Sequence, residues 1–200
     1  RYFVNQATSR GIGYTLADEL SRLCGDAGDY VILSAGTTDA NQNEWITFIK
    51  ERMDDRHPGM VLKEIRYTDG QRDKGMTEMR NMLNKYPDLK GAMAIAAPAV
   101  PGAAEALKQA SRTDIKLTGL SVPSVCRMYV HEHYIDSIIL WNTVDLGYLT
   151  VQAAHAIGEN RLQDGVRSFG RLPDILVEDD NINLGEPFIF TPENIDQFQF

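Results

Sequence analysis

Long apolar segments and cysteines are scarce in this sequence. No apolar run approaches the roughly 18 residues that a membrane-spanning helix needs. Only two cysteines occur in 200 residues, Cys24 and Cys126. Two cysteines so far apart fit one disulfide or two buried thiols equally well, so they do not identify a redox compartment.

Positive charge and a recognisable start are also lacking. The chain carries 20 Lys and Arg against 28 Asp and Glu, a net charge of −8. An acidic surface repels phosphates, which argues against nucleic acid and anionic membranes as partners. The chain begins at Arg1 with neither Met nor a secretory leader. We therefore expect a mature product or a fragment.

Short apolar strands alternate with amphipathic helices over most of the chain. This alternation predicts an α/β fold, a Rossmann-like parallel sheet with helices on both faces. After Gly158 the rhythm breaks, and two isolated strands are predicted, joined by a solvated acidic turn at residues 178–180. The predicted strands of the sheet are 30–33, 61–65, 92–95, 117–120 and 138–141, and the isolated ones are 172–177 and 187–190.

Ligands of such sheets bind beyond the carboxyl ends of the strands. The loops expected at that edge are 34–43, 95–102, 121–124 and 141–145. Polar residues are concentrated in the first of them. Asp39 or Asn41 would serve as the N-cap of the following helix. One cap accounts for one residue of the cluster, whereas amides suit sugar hydroxyls because both donate and accept hydrogen bonds.

Enzyme chemistry finds little support. Residues 7–13 resemble the glycine-rich turn of short-chain dehydrogenases, but only six residues precede them, barely enough for the strand that delivers such a turn. The Tyr and Lys of that family would fall on Tyr86 and Lys90, with Pro87 between them. His131 and His133 are two apart, the wrong spacing for a metal pair on a helix. We predict no catalytic residues, no metal and no cofactor.

Five segments, in order along the chain, resemble the type I periplasmic sugar-binding proteins, most of all the rhamnose- and autoinducer-2-binding branch. The resemblance extends from about Phe3 to the last residue. The segments are Asn-Gln-Asn-Glu-Trp at 41–45, Tyr-Pro-Asp-Leu-Lys-Gly at 86–91, Gly-Leu-Ser-Val-Pro at 119–123, Leu-Trp-Asn at 140–142 and Thr-Pro-Glu-Asn-Ile-Asp at 191–196.

The resemblance implies two lobes joined by three crossover strands, with the ligand between the lobes. Residues 1–6 would form the first crossover and 7–141 the C-terminal ligand-binding lobe. Residues 142–185 would pack with the N-terminal lobe, and 186–200 would be the third crossover and the return to the C-terminal lobe. Most of the N-terminal lobe would then be absent from this sequence. We expect the helix over 142–159 to expose its apolar face, which is Leu146, Leu149, Ala153 and Ile157, and the chain alone to bind its sugar weakly.

The resemblance also implies the ligand contacts. Gln42 matches the Gln of an Asp-Gln pair that grips the ligand, and Asn41 stands in place of the Asp. Asn142 stands where the branch usually has Asp. Two amides in place of carboxylates favour a neutral, rhamnose-like sugar over autoinducer-2. The predicted ligand-binding residues are Asn41, Gln42, Ala97, Pro98, Ser121, Trp141 and Asn142.

The function implied is that of a solute-binding protein, not an enzyme, that delivers a small sugar to an ABC permease in the membrane. It would be periplasmic or extracellular, lipid-anchored or soluble, without inserting into the membrane itself. A sugar-sensing effector domain of a repressor or a receptor has the same fold and remains the alternative. We expect Gln42→Ala to weaken ligand binding tenfold to a hundredfold, with folding nearly intact.

Overall fold

The computed structural model describes residues 1–200, which form two compact units. The first unit combines residues 1–12 with 141–188, and the second combines 13–140 with 189–200. In chain order the elements are β1 Phe3–Asn5, α1 Ser9–Cys24, β2 Gly28–Ser34, α2 Ala40–Arg56, β3 Met60–Tyr67, α3 Arg72–Lys85, β4 Gly91–Ala94, α4 Ala99–Ala110, β5 Lys116–Gly119, α5 Pro123–His131, β6 Ile138–Leu140, α6 Thr143–Gly158, β7 Gly165–Phe169, β8 Leu172–Glu178, β9 Asn181–Asn183 and β10 Phe188–Phe190, followed by a 3-10 turn at Ile195–Gln197.

The second unit is built on a parallel sheet with the strand order β3-β2-β4-β5. A parallel bridge from Leu120 to Ile139 connects this sheet to β6, which pairs with β10. The central strands are buried almost throughout, because helices cover both faces of the sheet. The predicted fold class is therefore confirmed.

The helices of the second unit bury one stripe each against this sheet. In α2 the buried side chains are Trp45, Ile46, Ile49 and Met53, which recur at helical spacing. In α4 the apolar sequence is buried over most of its length. None of the helices combines the length and the apolar composition that crossing a bilayer requires.

Helices α3 and α4 approach each other unusually closely because glycines lie at their contact. A Cβ on Gly102 would stand 2.2 Å from the carbonyl oxygen of Arg72, and one on Gly75 would stand 2.8 Å from the Cα of Ala99. These neighbours are backbone atoms and cannot rotate away. The glycines therefore bring the first turns of α3 and α4 together beside the carboxyl ends of the strands.

The first unit contains a four-stranded sheet in the order β1-β9-β8-β7. Strand β1 runs parallel to β9, while β8 pairs antiparallel with both β7 and β9. The two-residue connection at Asp179 and Asp180 has positive φ at both positions, as a tight hairpin requires. The predicted acidic turn is confirmed, but β7 and β9 were missed because both are short, and β7 is mostly exposed and polar.

Helix α6 packs on this small sheet, which corrects the expected exposure of its apolar face. Leu149 and Ala153 are fully buried, and they share a core with Phe169, Leu172, Ile175, Val177 and Ile182. Leu146 and Ile157 are partly buried. The expectation was wrong because the sequence pattern did not reveal the complete four-stranded sheet that covers this face. Valines on other faces of the helix, Val144 and Val151, are the exposed ones.

Candidate functional site

Three loops of the second unit come together at the carboxyl edge of its sheet. They follow β2, β4 and β5, which are neighbours in the order β2-β4-β5. Main-chain bonds continue past the ends of the strands, from Ile95 N–H to Leu33 O at 2.9 Å and from Leu120 N–H to Ala94 O at 2.9 Å. The segments that lead to Gln42, Ala97 and Ser121 therefore leave the sheet side by side.

The amide of Gln42 is oriented by hydrogen bonds to the end of β2. Its Oε1 accepts from the Ser34 hydroxyl at 2.9 Å and from the Ala35 N–H at 2.8 Å. Because a backbone N–H can only donate, Oε1 and not Nε2 must face it. The Nε2 group makes no hydrogen bond within the protein and has two protons to donate.

The start of α2 places Gln42 in this position. Asp39 caps the helix, because its carboxylate accepts a hydrogen bond from the Gln42 N–H at 3.1 Å. Of the two predicted N-caps, Asp39 is therefore confirmed and Asn41 does not have that role. Asn41 is exposed and its side chain forms no hydrogen bond. Asn43 instead donates to Thr37 O at 2.9 Å, which ties down the loop before the helix.

The hydrogen bonds of Gln42 change the expectation for Gln42→Ala. Ser34 is fully buried, and Ala35 is partly buried. Removing Oε1 would leave both of their donors without this acceptor, which destabilises a fold. We therefore no longer expect this substitution to leave folding nearly intact.

The loop after β4 offers an apolar surface. Ala97 and Pro98 are exposed, whereas Ala96 and Ala99 on either side are buried. The Ser121 hydroxyl donates to the carbonyl oxygen of Ala97 at 2.9 Å, which joins the loop after β5 to the loop after β4. Ser121 therefore positions these two loops.

Trp141 and Asn142 belong to the first unit, at the connection between β6 and α6. Asn142 caps α6, since its Oδ1 accepts from Val144 N–H at 3.0 Å and from Asp145 N–H at 3.2 Å. Trp141 is partly buried. Gln42 lies in the other unit, so the convergence of Asn41, Gln42 and Asn142 on one cleft stays a prediction.

The other candidates for chemistry have structural roles. Residues 9–13 of the glycine-rich segment form the first turns of α1, and the Thr8 hydroxyl accepts from the Gly11 N–H at 3.0 Å. His131 contacts Asp196 across 3.0 Å at the end of α5. No group of three or more His, Cys, Asp or Glu side chains is arranged to hold a metal ion.

Both cysteines are free, which decides between the disulfide and the two thiols. Cys24 lies at the end of α1, with Sγ 3.6 Å from Lys90 O. Cys126 is fully buried in α5, and its thiol interacts with the Ser121 side chain. Burial raises the pKa of each thiol to about 11. Neither thiol is ionised near neutral pH, so neither has the character of a nucleophile.

Four residues at this edge were not among the predicted ligand-binding residues. Arg72 opens α3, while Pro101, Val122 and Val125 lie in the first turns of α4 and α5; together with Ala97, Pro98 and Ser121 they line a cavity. The loop from β3 to α3 leaves the same edge of the sheet, and this could have identified Arg72. The valines and the proline carry no sequence signal of their own.

The fold and this edge define a ligand-binding α/β protein, and comparison with known proteins identifies its class. The sequence profile of the periplasmic binding protein domain family matches residues 1–161. The chain belongs to that family.

Solved structures similar to this chain include sugar-transport proteins. A sugar ABC transporter structure from Actinomyces odontolyticus is 27% identical with a TM-score of 0.91, over 100% of this chain and 66% of the other. An ABC transporter solute-binding protein from Clostridium phytofermentas with bound L-rhamnose is 28% identical with a TM-score of 0.84, over 98% and 67%.

A more distant structure, LsrB from Clostridium saccharobutylicum in complex with AI-2, is 18% identical with a TM-score of 0.82, over 98% of this chain and 69% of the other. This likeness shows the fold alone. The chain spans about two thirds of the length of these solved structures.

Proposed function

We propose that this chain is the ligand-contacting part of a solute-binding protein that captures a small neutral sugar for an ABC importer. The observation that carries the proposal is the Gln42 amide. Its oxygen is held by Ser34 and Ala35, and its Nε2 remains free to donate at the carboxyl edge of the sheet. A fixed donor at this edge suits a hydroxyl group, which accepts hydrogen bonds from uncharged donors.

The surroundings of Gln42 support binding rather than catalysis. A binding site needs a few oriented polar groups on an otherwise apolar surface. Gln42 and Asn41 supply amides, and Ala97 and Pro98 supply exposed apolar surface. The Cys126 thiol is buried, and burial raises its pKa to about 11. We infer that the protein is not an enzyme.

The ligand class is inferred from the amides and from the similar proteins. Two matches above 25% identity are a sugar ABC transporter structure and a solute-binding protein with bound L-rhamnose. Amides at positions 41 and 142 donate as well as accept, which favours a neutral hydroxylated ligand over a charged one. We propose a rhamnose-like sugar, with Asn41, Gln42 and Asn142 as hydrogen-bonding partners and the Trp141 indole covering an apolar face of the ring.

Partner and location follow from the same proposal. A binding protein of an importer meets a permease embedded in the membrane, so the protein would act in the periplasm or outside the cell. The acidic net charge of −8 does not favour direct binding to anionic lipid.

Thermal denaturation of the full-length protein with a panel of small molecules tests the proposal. The panel contains L-rhamnose, other deoxyhexoses, hexoses, pentoses and autoinducer-2, with amino acids and nucleosides as the comparison set. A ligand at a hundred times its Kd stabilises the folded state by about 2.7 kcal/mol, which raises the Tm of a protein of this size by several degrees. Calorimetry then gives the Kd of each hit. A Tm that responds to an amino acid or a nucleoside and to none of the sugars would refute the proposal.

A further inference from the structure

A cavity of about 280 Å³ opens at the carboxyl edge of the second unit. It lies where the first turns of α3, α4 and α5 meet the loops after β4 and β5. This volume is several times the roughly 30 Å³ that one water molecule occupies in the liquid, and it is slightly below the range of sites that enclose a whole ligand. The cavity has room for one substituent of a ligand and part of its ring. Its lining residues are Arg72, Ala97, Pro98, Pro101, Ser121, Val122 and Val125.

The wall of this cavity is apolar in its chemistry. Five of the seven lining residues are Ala, Pro or Val. Of the other two, Ser121 is fully buried, and its hydroxyl donates to Ala97 O at 2.9 Å and is also bonded to the Cys126 thiol. The single proton that this hydroxyl can donate is therefore used within the protein.

Arg72 is held at the edge of the cavity by a chain of hydrogen bonds that leads away from it. Its Nη2 donates to the Tyr129 hydroxyl at 2.9 Å, and that hydroxyl donates to Glu105 Oε2 at 2.7 Å. Tyr129 and Glu105 lie one turn further along α5 and α4 than Val125 and Pro101, which line the cavity. The Nη2 group of Arg72 is therefore bonded to a chain that runs away from the cavity along these helices.

An apolar wall discriminates between a methyl and a hydroxymethyl group. A methyl group gains from leaving water, whereas a hydroxyl against the Ala, Pro and Val side chains loses its water partners and finds no replacement among them. We propose that this cavity is a subsite for the C-methyl group of a deoxysugar, so that the ligand is a methyl-bearing sugar and its hydroxymethyl counterpart is rejected. This inference rests on the proposed function and adds to it the residues that select a methyl-bearing sugar over its hydroxymethyl counterpart.

The placement of the polar groups agrees with this assignment. The free Nε2 of Gln42 is in the first turn of α2, the helix that follows β2, and the cavity is at the loops after β4 and β5, which are the next strands in the sheet. A 6-deoxyhexopyranose carries hydroxyls at C1 to C4 of its ring and its methyl group at C5, so the ring can place a hydroxyl and the methyl in different directions. The donor and the apolar subsite would then contact opposite ends of one small ligand.

Matched sugar pairs test the proposal in the full-length protein. L-rhamnose differs from L-mannose, and L-fucose from L-galactose, only by a hydrogen in place of the hydroxyl at C6. We expect calorimetry to give a Kd at least tenfold lower for the deoxy member of the pair that binds. Autoinducer-2, which also carries a methyl group, is measured alongside to distinguish a furanose from a hexose as the source of that group.

Two variants of the same type examine the subsite itself. Val125→Thr places a hydroxyl in the wall at nearly unchanged volume, at a position that is 50% exposed. Val151→Thr is the control, because Val151 is 67% exposed on α6 in the first unit and lines no part of this cavity. We expect Val125→Thr to reduce the preference for the deoxysugar at least threefold and Val151→Thr to leave it unchanged.

The outcomes separate this inference from the proposed function. Equal affinity for both members of a pair would overturn the methyl subsite and leave a sugar-binding protein. An unchanged preference in Val125→Thr would also overturn it, because the cavity would then not contact the group at C6. Binding of none of the sugars by the folded protein would overturn both.

Discussion

Substitution of Gln42 separates a structural role from a role in ligand binding, because the two ends of its amide have different partners. Oε1 accepts from Ser34 and Ala35, and Nε2 is free. Gln42→Glu keeps an acceptor for both donors and removes the free N–H groups. Gln42→Ala removes both ends. The two variants should therefore bind the ligand with similarly reduced affinity but differ in their free energy of unfolding.

The expected size of each effect follows from these contacts. In Gln42→Ala the Ser34 hydroxyl and the Ala35 N–H both lose their acceptor. A buried donor without an acceptor costs about 1–3 kcal/mol, and the partly buried Ala35 N–H costs less, so we expect the free energy of unfolding to fall by about 2 kcal/mol. This corresponds to a Tm lower by roughly 4–8 °C. In Gln42→Glu the new carboxylate lies in the first turn of α2, where the helix dipole favours negative charge, so stability should be unchanged or slightly higher.

Affinity should fall by about tenfold to a hundredfold in both variants, since both remove a hydrogen bond to the ligand. Urea and thermal denaturation give the stabilities, and calorimetry with the sugar found in the panel gives the Kd. Asn41→Ala is the control for stability, because the Asn41 side chain makes no hydrogen bond. Wild-type affinity in Gln42→Glu would remove Nε2 from the site, and wild-type stability in Gln42→Ala would contradict its hydrogen bonds.

Four further predictions concern stability and reactivity. Gly102→Ala should lower the free energy of unfolding by about 2 kcal/mol, because the new Cβ would stand 2.2 Å from a backbone oxygen. Gly147→Ala has open space around it and should raise the free energy of unfolding by about 0.5–1 kcal/mol. Changes of the same sign in urea denaturation would contradict the close contact of α3 and α4. Asn142→Ala should lower the free energy of unfolding by about 1 kcal/mol because α6 loses its N-cap, whereas Asn142→Asp keeps the cap and should leave stability almost unchanged. Equal thermal stability of the two variants would contradict the capping role of Asn142. Burial alone would raise the pKa of Asp18, but hydrogen bonds from Arg52 and His57 outweigh burial and lower the pKa below 3.8. The ionised carboxylate therefore contributes at most about 1 kcal/mol of stability at this partly exposed site, fully above pH 3.8 and progressively less as the pH falls. Asp18→Asn should flatten the fall in stability below about pH 4, and an unchanged fall would contradict this role of Asp18. Cys126 should react with a thiol reagent at pH 7.5 only after unfolding, because burial raises its pKa to about 11; fast labelling of the native protein would show that this thiol is accessible.

The sequence alone determined the fold class and the edge at which to look for a ligand. Short apolar strands between amphipathic helices leave few alternatives to a parallel sheet, and the carboxyl ends of its strands can be read from their order. Asp39 and Gln42 could be placed at the start of α2 in the same way, because helix capping depends on residues three apart. The acidic turn at 178–180 is equally local, since Asp tolerates positive φ there.

Contacts between distant residues were decided only by the tertiary structure. That Gln42 presents its nitrogen and not its oxygen depends on Ser34 and Ala35, which the periodicity of the sequence does not connect to it. The cavity lined by Val122 and Val125 exists because three helices and two loops converge, and a valine in a sequence carries no sign of such a place. The sheet that covers α6 combines the predicted strand β8 with β7 and β9, which are too short or too polar to show an apolar pattern. Helix caps and turns depend on residues close in sequence, so the sequence predicts them. The burial and the direction of a side chain depend on distant residues that the fold places next to that side chain.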